Sequence, residues 1–378
     1  MSLHRSNRLG DVSGAFADLG TFLPLVIGIL AVPGYDAVGI LIGFGIVAVL
    51  TAALYRLPIP VQPMKAVAAL IIVGALTPAE TAATGLIIGT VLIVLAFTGA
   101  ISWLARVVPA SVILGVQMAV GAHLVIIGIG HVAEKPWFGA AALAALAVLY
   151  FTRFWSFAAI LVVAAAAAVA LTLSPSPIHL SPVGLHWPAP VWPEWADFER
   201  AAIVTVLPQM AMTLSNAVLI TATLAGEYFP ARKHLASAPR LAAGTGVFNI
   251  LTAPFGAIPM CHGAGGLVAQ VGFGARTWLA PLIFGGSCLV LGILFGSGAR
   301  EILGVVSIGA VGALLVFAGG EMLLNKRFLA IGPGCQAVVL ITIVACVATN
   351  MAAGLAIGLV AEVARTFLGR RSGTRPAA

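Results

Sequence analysis

Long apolar stretches separated by short polar or Pro- and Gly-rich breaks make up almost the whole chain after a polar N-terminus. A helix needs about 20 apolar residues to cross the hydrocarbon layer of a membrane. The pattern therefore predicts an all-α polytopic membrane protein with about fourteen transmembrane segments. We place these segments at residues 12–31, 37–55, 60–77, 81–104, 110–130, 136–152, 155–173, 201–225, 237–254, 258–272, 277–296, 301–324, 333–348 and 350–367.

The longest polar stretch, residues 174–200, is rich in Pro and Trp and leaves seven predicted segments on each side. Because seven is odd, the second half must cross the membrane in the opposite direction, which is the pattern of an inverted repeat. We therefore divide the chain into a first repeat, an extracytoplasmic linker, a second repeat and a short cytoplasmic tail. Their bounds are residues 1–173, 174–200, 201–368 and 369–378.

Two short internal matches support the repeat. Ile59-Pro60-Val61-Gln62 corresponds to Ile258-Pro259-Met260-Cys261, and Ala17-Asp18 corresponds to Ser215-Asn216. Each match would be weak alone, but the offset along the chain between the matching residues is nearly the same in both matches.

The composition fits a membrane protein and excludes several other classes. Of the 378 residues, 61% are hydrophobic and only 8% are charged, whereas soluble domains carry roughly 25% charged residues. This excludes a cytosolic enzyme, a secreted disulfide-rich protein and a disordered chain. The four cysteines form no CxxC pair, so we expect no disulfide, no metal site and no cofactor.

The net charge of +7 indicates membrane orientation rather than a nucleic-acid partner, because no basic stripe with interleaved aromatic residues is present. With a cytoplasmic N-terminus, the outside loops hold only Lys135, Arg200 and Arg300 of the 19 basic residues. Basic residues concentrate on the cytoplasmic side of membrane proteins. We therefore expect an integral plasma (inner) membrane protein with both termini in the cytoplasm.

Two stretches predict helices that begin inside the membrane. In residues 57–70, three prolines predict extended backbone followed by a helix starting near Pro63 or Met64. Lys65 would then lie in the first helical turn. In residues 256–270 the extended part should reach Met260 or Cys261 before a helix of small residues begins. Segments three and ten should therefore each contain a half-helix.

The N-terminus of a helix carries free N–H groups and about half a positive charge. Two such ends and Lys65 together would balance a dianion. Alternatively, the glycines and prolines only allow close helix packing, and Lys65 reaches the cytoplasmic surface. His262 either donates to the oxyanion as a neutral imidazole or is structural. The candidate substrate contacts are Thr21, Phe22, Gln62, Met64, Lys65, Asn216, Cys261, His262, Gly263, Ala264 and Gly265.

Asp18, within the first segment, is the candidate coupling residue, because a carboxylate in the membrane needs a partner or a proton. Three roles are open for it: neutralising Lys65, binding a coupling cation, or carrying a coupling proton. Gln209 either bonds a ligand or satisfies broken backbone, and we favour structural roles for Gln117 and Gln270.

Three motifs resemble the molybdate transporter family related to the SulP sulfate permeases. They are GDVSGAFADLGTFLPL, PIPVQPMKAVAAL and PMCHGAGGLVAQVGFGART. The resemblance implies a seven-plus-seven inverted repeat like that of the uracil permeases, with an oxyanion site between the third and tenth segments. It also implies that a core domain (segments one to four and eight to eleven) moves like an elevator against a gate domain. SulP permeases usually carry a soluble C-terminal regulatory domain, which we do not expect in the short tail after Phe367.

We expect a secondary active transporter, not an enzyme, because the sequence has no ATP-binding motif and no cluster of catalytic residues. Its substrate would be a tetrahedral oxyanion, molybdate and/or sulfate, imported with protons or sodium ions. The other expected partner is membrane lipid, and a homodimer is one option for its assembly. The alternatives are a nucleobase permease on the same fold and a passive anion channel.

Overall fold

The computed structural model describes residues 8–101, 109–152, 158–173, 183–296, 298, 307–349 and 351–371, and all structural statements refer to these. Parts of predicted segments four, seven, twelve and fourteen, the start of the first repeat, and parts of the linker and of the C-terminal tail lie outside the described residues. The described part of the chain is mostly helical, which agrees with the predicted class.

The helices of the first half follow the predicted segments closely, except at segments one and three. Segment one is divided into two helices, and segment three contains only a short one. The first-half helices are α1 (Arg8–Ala15), α2 (Leu19–Ala31), α3 (Ala37–Tyr55), α4 (Lys65–Ile72), α5 (Pro78–Thr98), α6 (Ala110–Glu134), α7 (Pro136–Tyr150) and α8 (Ala158–Leu173).

The second half begins with the longest described helix, α9 (Trp195–Tyr228). This helix begins at Trp195, within the predicted linker, where the Asp197 side chain accepts a hydrogen bond from the Glu194 N–H (2.8 Å) and caps the helix start. The remaining helices are α10 (Ala238–Thr252), α11 (Ala264–Gly272), α12 (Leu279–Phe295), α13 (Ile308–Leu323), α14 (Lys326–Ala330), α15 (Pro333–Ala348) and α16 (Met351–Arg371).

Four of the described helices, α3, α5, α6 and α9, are long and apolar enough to cross a membrane. Shorter apolar helices, among them α7, α12 and α15, accompany them. The count of fourteen segments and the inverted repeat remain predictions.

The break between α1 and α2, within predicted segment one, lies at residues 16–18 and is closed by local turns. The Ala17 N–H donates to the Gly14 carbonyl (3.2 Å), and the Leu19 N–H donates to the Phe16 carbonyl (3.2 Å). The carboxylate of Asp11 on α1 accepts hydrogen bonds from the Arg276 N–H (2.8 Å), the Thr277 N–H (2.9 Å) and the Thr277 hydroxyl (2.7 Å). These bonds fasten α1 to the loop between α11 and α12, so that Asp18 lies close to α11.

Helices from the two halves pack on each other in pairs: α6 on α13, α5 on α10 and α3 on α12. Glycines bring the backbones of α6 and α13 into contact. A Cβ atom on Gly121 would lie 2.6 Å from the Gly319 carbonyl oxygen, and one on Gly319 would lie 2.5 Å from the Gly121 oxygen. Small residues at such contacts are typical of helix packing in membranes.

Candidate functional site

Two short strands pair with each other at the centre of the site. β1 (Gln62–Pro63) and β2 (Met260–Cys261) are antiparallel, with Gln62 opposite Cys261 and Pro63 opposite Met260. The Met64 N–H extends the pairing by donating to the Pro259 carbonyl (2.9 Å). The extended stretches that precede α4 and α11 are therefore bonded to each other, and the two helix starts are held in a fixed relation.

Helix α4 begins at Lys65, directly after the buried Met64, whereas the predicted start lay near Pro63 or Met64; Lys65 lies in the first turn, as expected. The Gln209 Oε1 atom on α9 accepts a hydrogen bond from the Ala66 N–H (3.0 Å), and its Nε2 donates to the Thr213 hydroxyl (2.9 Å). Gln209 thus satisfies one free donor at the start of α4, which is the backbone role left open by the sequence. Lys65 is half-buried, and its ammonium group has no hydrogen-bond or ion-pair partner among the described residues.

Helix α11 begins at Ala264, and its N-cap residue, Gly263, provides no side-chain cap. No other part of the described chain bonds the N–H groups of Ala264, Gly265 and Gly266. Gly265 is exposed, and a Cβ atom added there would meet nothing within 4 Å. The start of α11 therefore offers more free N–H donors than the start of α4.

Asp18 and Gln62 form a pair against the start of α11. The Gln62 Nε2–H donates to the Asp18 Oδ2 atom, and the Asp18 backbone carbonyl accepts from the N–H groups of Thr21 (3.0 Å) and Phe22 (3.1 Å). A Cβ atom on Gly266 would lie 2.7 Å from Asp18 Oδ2 and 2.8 Å from Gln62 Nε2, and one on Gly263 would collide with Gln62 Oε1. A side chain at either position would therefore displace this pair from its place.

Asp18 does not neutralise Lys65 directly. Among the described residues, Lys65 makes no ion pair within 4.0 Å, although the two charges are close enough to interact electrostatically. The structure therefore does not contain the direct ion pair that was one of the three roles open for Asp18.

His262 is buried with 1% of its surface exposed. Its Nδ1 lies 2.9 Å from the Pro60 carbonyl oxygen. Since a carbonyl only accepts, Nδ1 must carry the hydrogen, and the neutral ring then has a lone pair at Nε2. That atom has no partner in the described part of the chain, and Tyr55 packs edge-on to the ring at 5.2 Å between centroids. In this arrangement the neutral imidazole offers an oxyanion no free N–H group.

Four further predicted site residues differ in their burial and contacts. Phe22 is buried and packs edge-on against Phe44 (4.8 Å) and Phe284 (5.0 Å). Asn216 lies on a π-helical part of α9 that contacts α11, and its side chain bonds none of the described residues. Cys261 and Thr21 are half-buried.

Asn249 on α10 is a supporting residue that the sequence analysis missed. Its side chain donates to the Met260 carbonyl (2.7 Å) and accepts from the Met260 N–H (2.8 Å), so it holds β2 extended. The only signal in the sequence was an amide within an apolar segment, and its partner, eleven residues later, is too distant for a local rule to find.

A sequence profile described as "Molybdate transporter of MFS superfamily" matches residues 10–124 and 201–322. The chain belongs to this molybdate transporter family. The matched ranges contain Asp18, both half-helices and Lys65. "Molybdate transporter 2" of Arabidopsis thaliana is 32% identical over 371 residues, which cover 84% of this chain and 78% of that protein.

Two solved structures show the fold of this molybdate transporter family member. "The overall structure of SLC26A9" superposes with a TM-score of 0.70 at 13% identity, over 96% of this chain and 65% of that one. "The transmembrane domain of a cyanobacterium bicarbonate transporter BicA" superposes with a TM-score of 0.66 at 17% identity, over 96% and 98% of the two chains. The chain therefore spans slightly less than two thirds of the SLC26A9 structure and nearly all of the BicA domain.

Proposed function

We propose that this protein imports a tetrahedral oxyanion, molybdate and/or sulfate, by secondary active transport. The observation that carries the proposal is the uncapped start of α11 beside the start of α4 with its unpaired Lys65. Membership of the molybdate transporter family, and the relative named "Molybdate transporter 2", support molybdate as one substrate.

The electrostatics of the two helix starts suit a dianion. Each helix N-terminus contributes about half a positive charge, and the Lys65 ammonium adds a full one, so that the total is about two. Because Gln209 already occupies one donor of α4, we place the anion closer to α11, on the N–H groups of Ala264 to Gly266. His262 is then part of the backbone that leads into α11, and its imidazole does not bind the anion. Gln62, Cys261 and Asn216 line the site.

Import of a dianion also needs a driving ion. An inward-negative potential of 100 mV opposes two negative charges by about 4.6 kcal/mol, so at least two cotransported cations are needed to balance the charge. We propose that Asp18 carries the coupling ion, a proton or sodium. Its hydrogen bond from Gln62, and the contact of Gln62 with the N-cap of α11, support this role.

We further propose an elevator-like motion of a core domain, segments one to four and eight to eleven, against a gate domain. The pairing of Gln62 with Cys261 supports the inverted repeat behind it, since these positions correspond in the two halves. The proposal includes a place in the plasma (inner) membrane with both termini in the cytoplasm, with a homodimer as one option for assembly.

Uptake into liposomes tests this function. Purified protein should accumulate radiolabelled molybdate and sulfate against their gradients when a cation gradient is imposed, and each anion should inhibit uptake of the other. Flux that equilibrates the anion without concentrating it would identify a channel. Inhibition of uptake by uracil, without inhibition by either oxyanion, would identify a nucleobase permease.

A further inference from the structure

A small cavity lies beside Asp18, between α1, α2, α11 and α12. Its polar lining consists of Asp18 and Gln270, and its apolar lining includes Phe22, Val61 and Phe284. The volume of the cavity is small, about 10 Å³. This is about the space that one water molecule needs.

Gln270 supplies an independent sign that something occupies this cavity. The residue is 3% exposed, and its buried Oε1 atom has no hydrogen-bond partner among the residues described. Buried amides in folded proteins are almost always hydrogen-bonded, and one without a protein partner indicates a bound water or ion. From the sequence, a structural role was favoured for Gln270.

The size and the lining of the cavity indicate which of three species, an oxyanion, a metal cation or a water molecule, fits it. A tetrahedral oxyanion is too large and would be repelled by the Asp18 carboxylate. A metal cation requires several oxygen ligands, whereas the side chains of the described lining residues provide one carboxylate and one amide among apolar groups. A water molecule fits both the size and the two polar groups.

We propose that this cavity is a proton-binding site, in which one water bonded to Asp18 and Gln270 delivers the coupling proton. The proton arrives on this water as hydronium. One of its O–H bonds breaks, an O–H bond forms on the Asp18 carboxylate, and the neutral water stays in the cavity. The inference rests on the proposed function and names the coupling ion of that transport.

The proton site is connected to the anion site through Gln62. The Gln62 amide donates to Asp18, and its Oε1 lies against Gly263 at the start of α11. Protonation removes the charge of Asp18 and gives it a hydrogen to donate. Protonation of Asp18 therefore changes the Gln62 hydrogen bond. Because Gln62 also contacts the start of α11, this change reaches the helix end where we place the anion.

Other charged or titratable groups lie near Asp18, and their influence on the pH dependence must be distinguished from that of Asp18 itself. Lys65 and Cys261 interact with it electrostatically, and His262 lies beyond Cys261. Asp11 lies within α1 and accepts a hydrogen bond from the Arg276 N–H in the loop between α11 and α12. Helix α13, which packs on α2, carries Glu321 near its C-terminal end. Of the described residues that line the cavity, Asp18 is the only titratable one.

The experiment compares Gln270→Met with Gln117→Met, a matched control on α6 away from the cavity. Initial rates of molybdate uptake are measured in liposomes without sodium, across a range of external pH. Q270M should expel the water and move the midpoint of the pH–rate profile by about one pH unit or more, because the interactions of the carboxylate change. Q117M should keep the parental profile. Calorimetry at alkaline pH should give parental molybdate affinity for both.

A parental pH midpoint in folded Q270M would overturn the proton site, as would parental uptake that follows a sodium gradient and ignores pH. If Q270M does not fold, Val61→Ile provides the same test, because its added methyl group fills the cavity and displaces the water. A parent protein that neither binds nor transports molybdate or sulfate would instead refute the proposed function, so the two failures are distinguishable.

Discussion

Gln62 and Cys261 lie directly opposite each other in the antiparallel pair of β1 and β2. These are also the last residues of the two matching tetrapeptides in the sequence. A pair formed between corresponding positions is what a two-fold relation between the halves would produce. The two residues nevertheless differ chemically, because Gln62 reaches Asp18 whereas Cys261 is a thiol. At this pair of positions, the first half therefore contributes a polar side-chain contact and the second half contributes a thiol.

Replacing Gly266 with Ala should disrupt the Asp18–Gln62 pair. The new methyl group would lie 2.7 Å from Asp18 Oδ2 and 2.8 Å from Gln62 Nε2, so these side chains must move. We expect coupled uptake to be lost and the melting temperature to fall. Gly272→Ala is the control on the same helix, because nothing lies within 4 Å of its added methyl group. Its effect should be neutral or slightly stabilising, by up to about 1 kcal/mol. Similar transport and melting in both variants would contradict the proposed packing.

Replacing Lys65 with Ala should weaken oxyanion binding while the protein stays folded. A hydrogen bond to a charged group contributes about 1.5–3 kcal/mol, so the dissociation constant should rise at least about tenfold. Calorimetric titration of molybdate and sulfate measures this. Lys326→Ala, at an exposed lysine of α14, removes the same charge from the surface and should change nothing. Equal affinities in the two variants would remove Lys65 from the site.

The sequence was sufficient to locate the half-helices but not their partners. Prolines at 58, 60 and 63 forbid a continuous helix before residue 63, and this local rule located the start of α4 to within two residues. The break after Ala15 has no proline to mark it and depends on the packing of α1 against α11. The bond from the Ala66 N–H to Gln209 joins residues 143 positions apart, and no local pattern encodes such a contact.

Replacing Asp18 with Asn should uncouple uptake from the cation gradient more than it weakens anion binding. Asparagine still accepts the Gln62 hydrogen bond through its oxygen, but it cannot carry a proton or hold a cation by charge. Counterflow, which exchanges labelled for unlabelled anion without a gradient, should survive, whereas gradient-driven uptake and its pH dependence should be lost. Both activities are measured in the same liposomes. If they survive to the same extent, Asp18 is not the coupling residue.

A substitution at Gly265 distinguishes most clearly between a role of the glycines in anion binding and a role in helix packing. At Gly263, Val would collide with Gln62, and a loss of transport there would have two causes. At Gly265, added atoms enter open space, so packing alone predicts a stable and fully active variant. We expect Gly265→Val to fold with a melting temperature close to that of the parent.

Oxyanion affinity should nevertheless fall in Gly265→Val. An anion on the N–H groups of α11 must approach to about 2.7–3.2 Å between heavy atoms, and a branched side chain at the helix start occupies the space in front of them. Since all the contacts lengthen together, the affinities for molybdate and sulfate should decrease in parallel. Melting temperature and calorimetric affinity are measured on the same purified protein, with Gly272→Val as the control at the other end of α11. Parental affinity in a stable Gly265→Val protein would place the anion away from this helix end and leave Lys65 and α4 as its binding site.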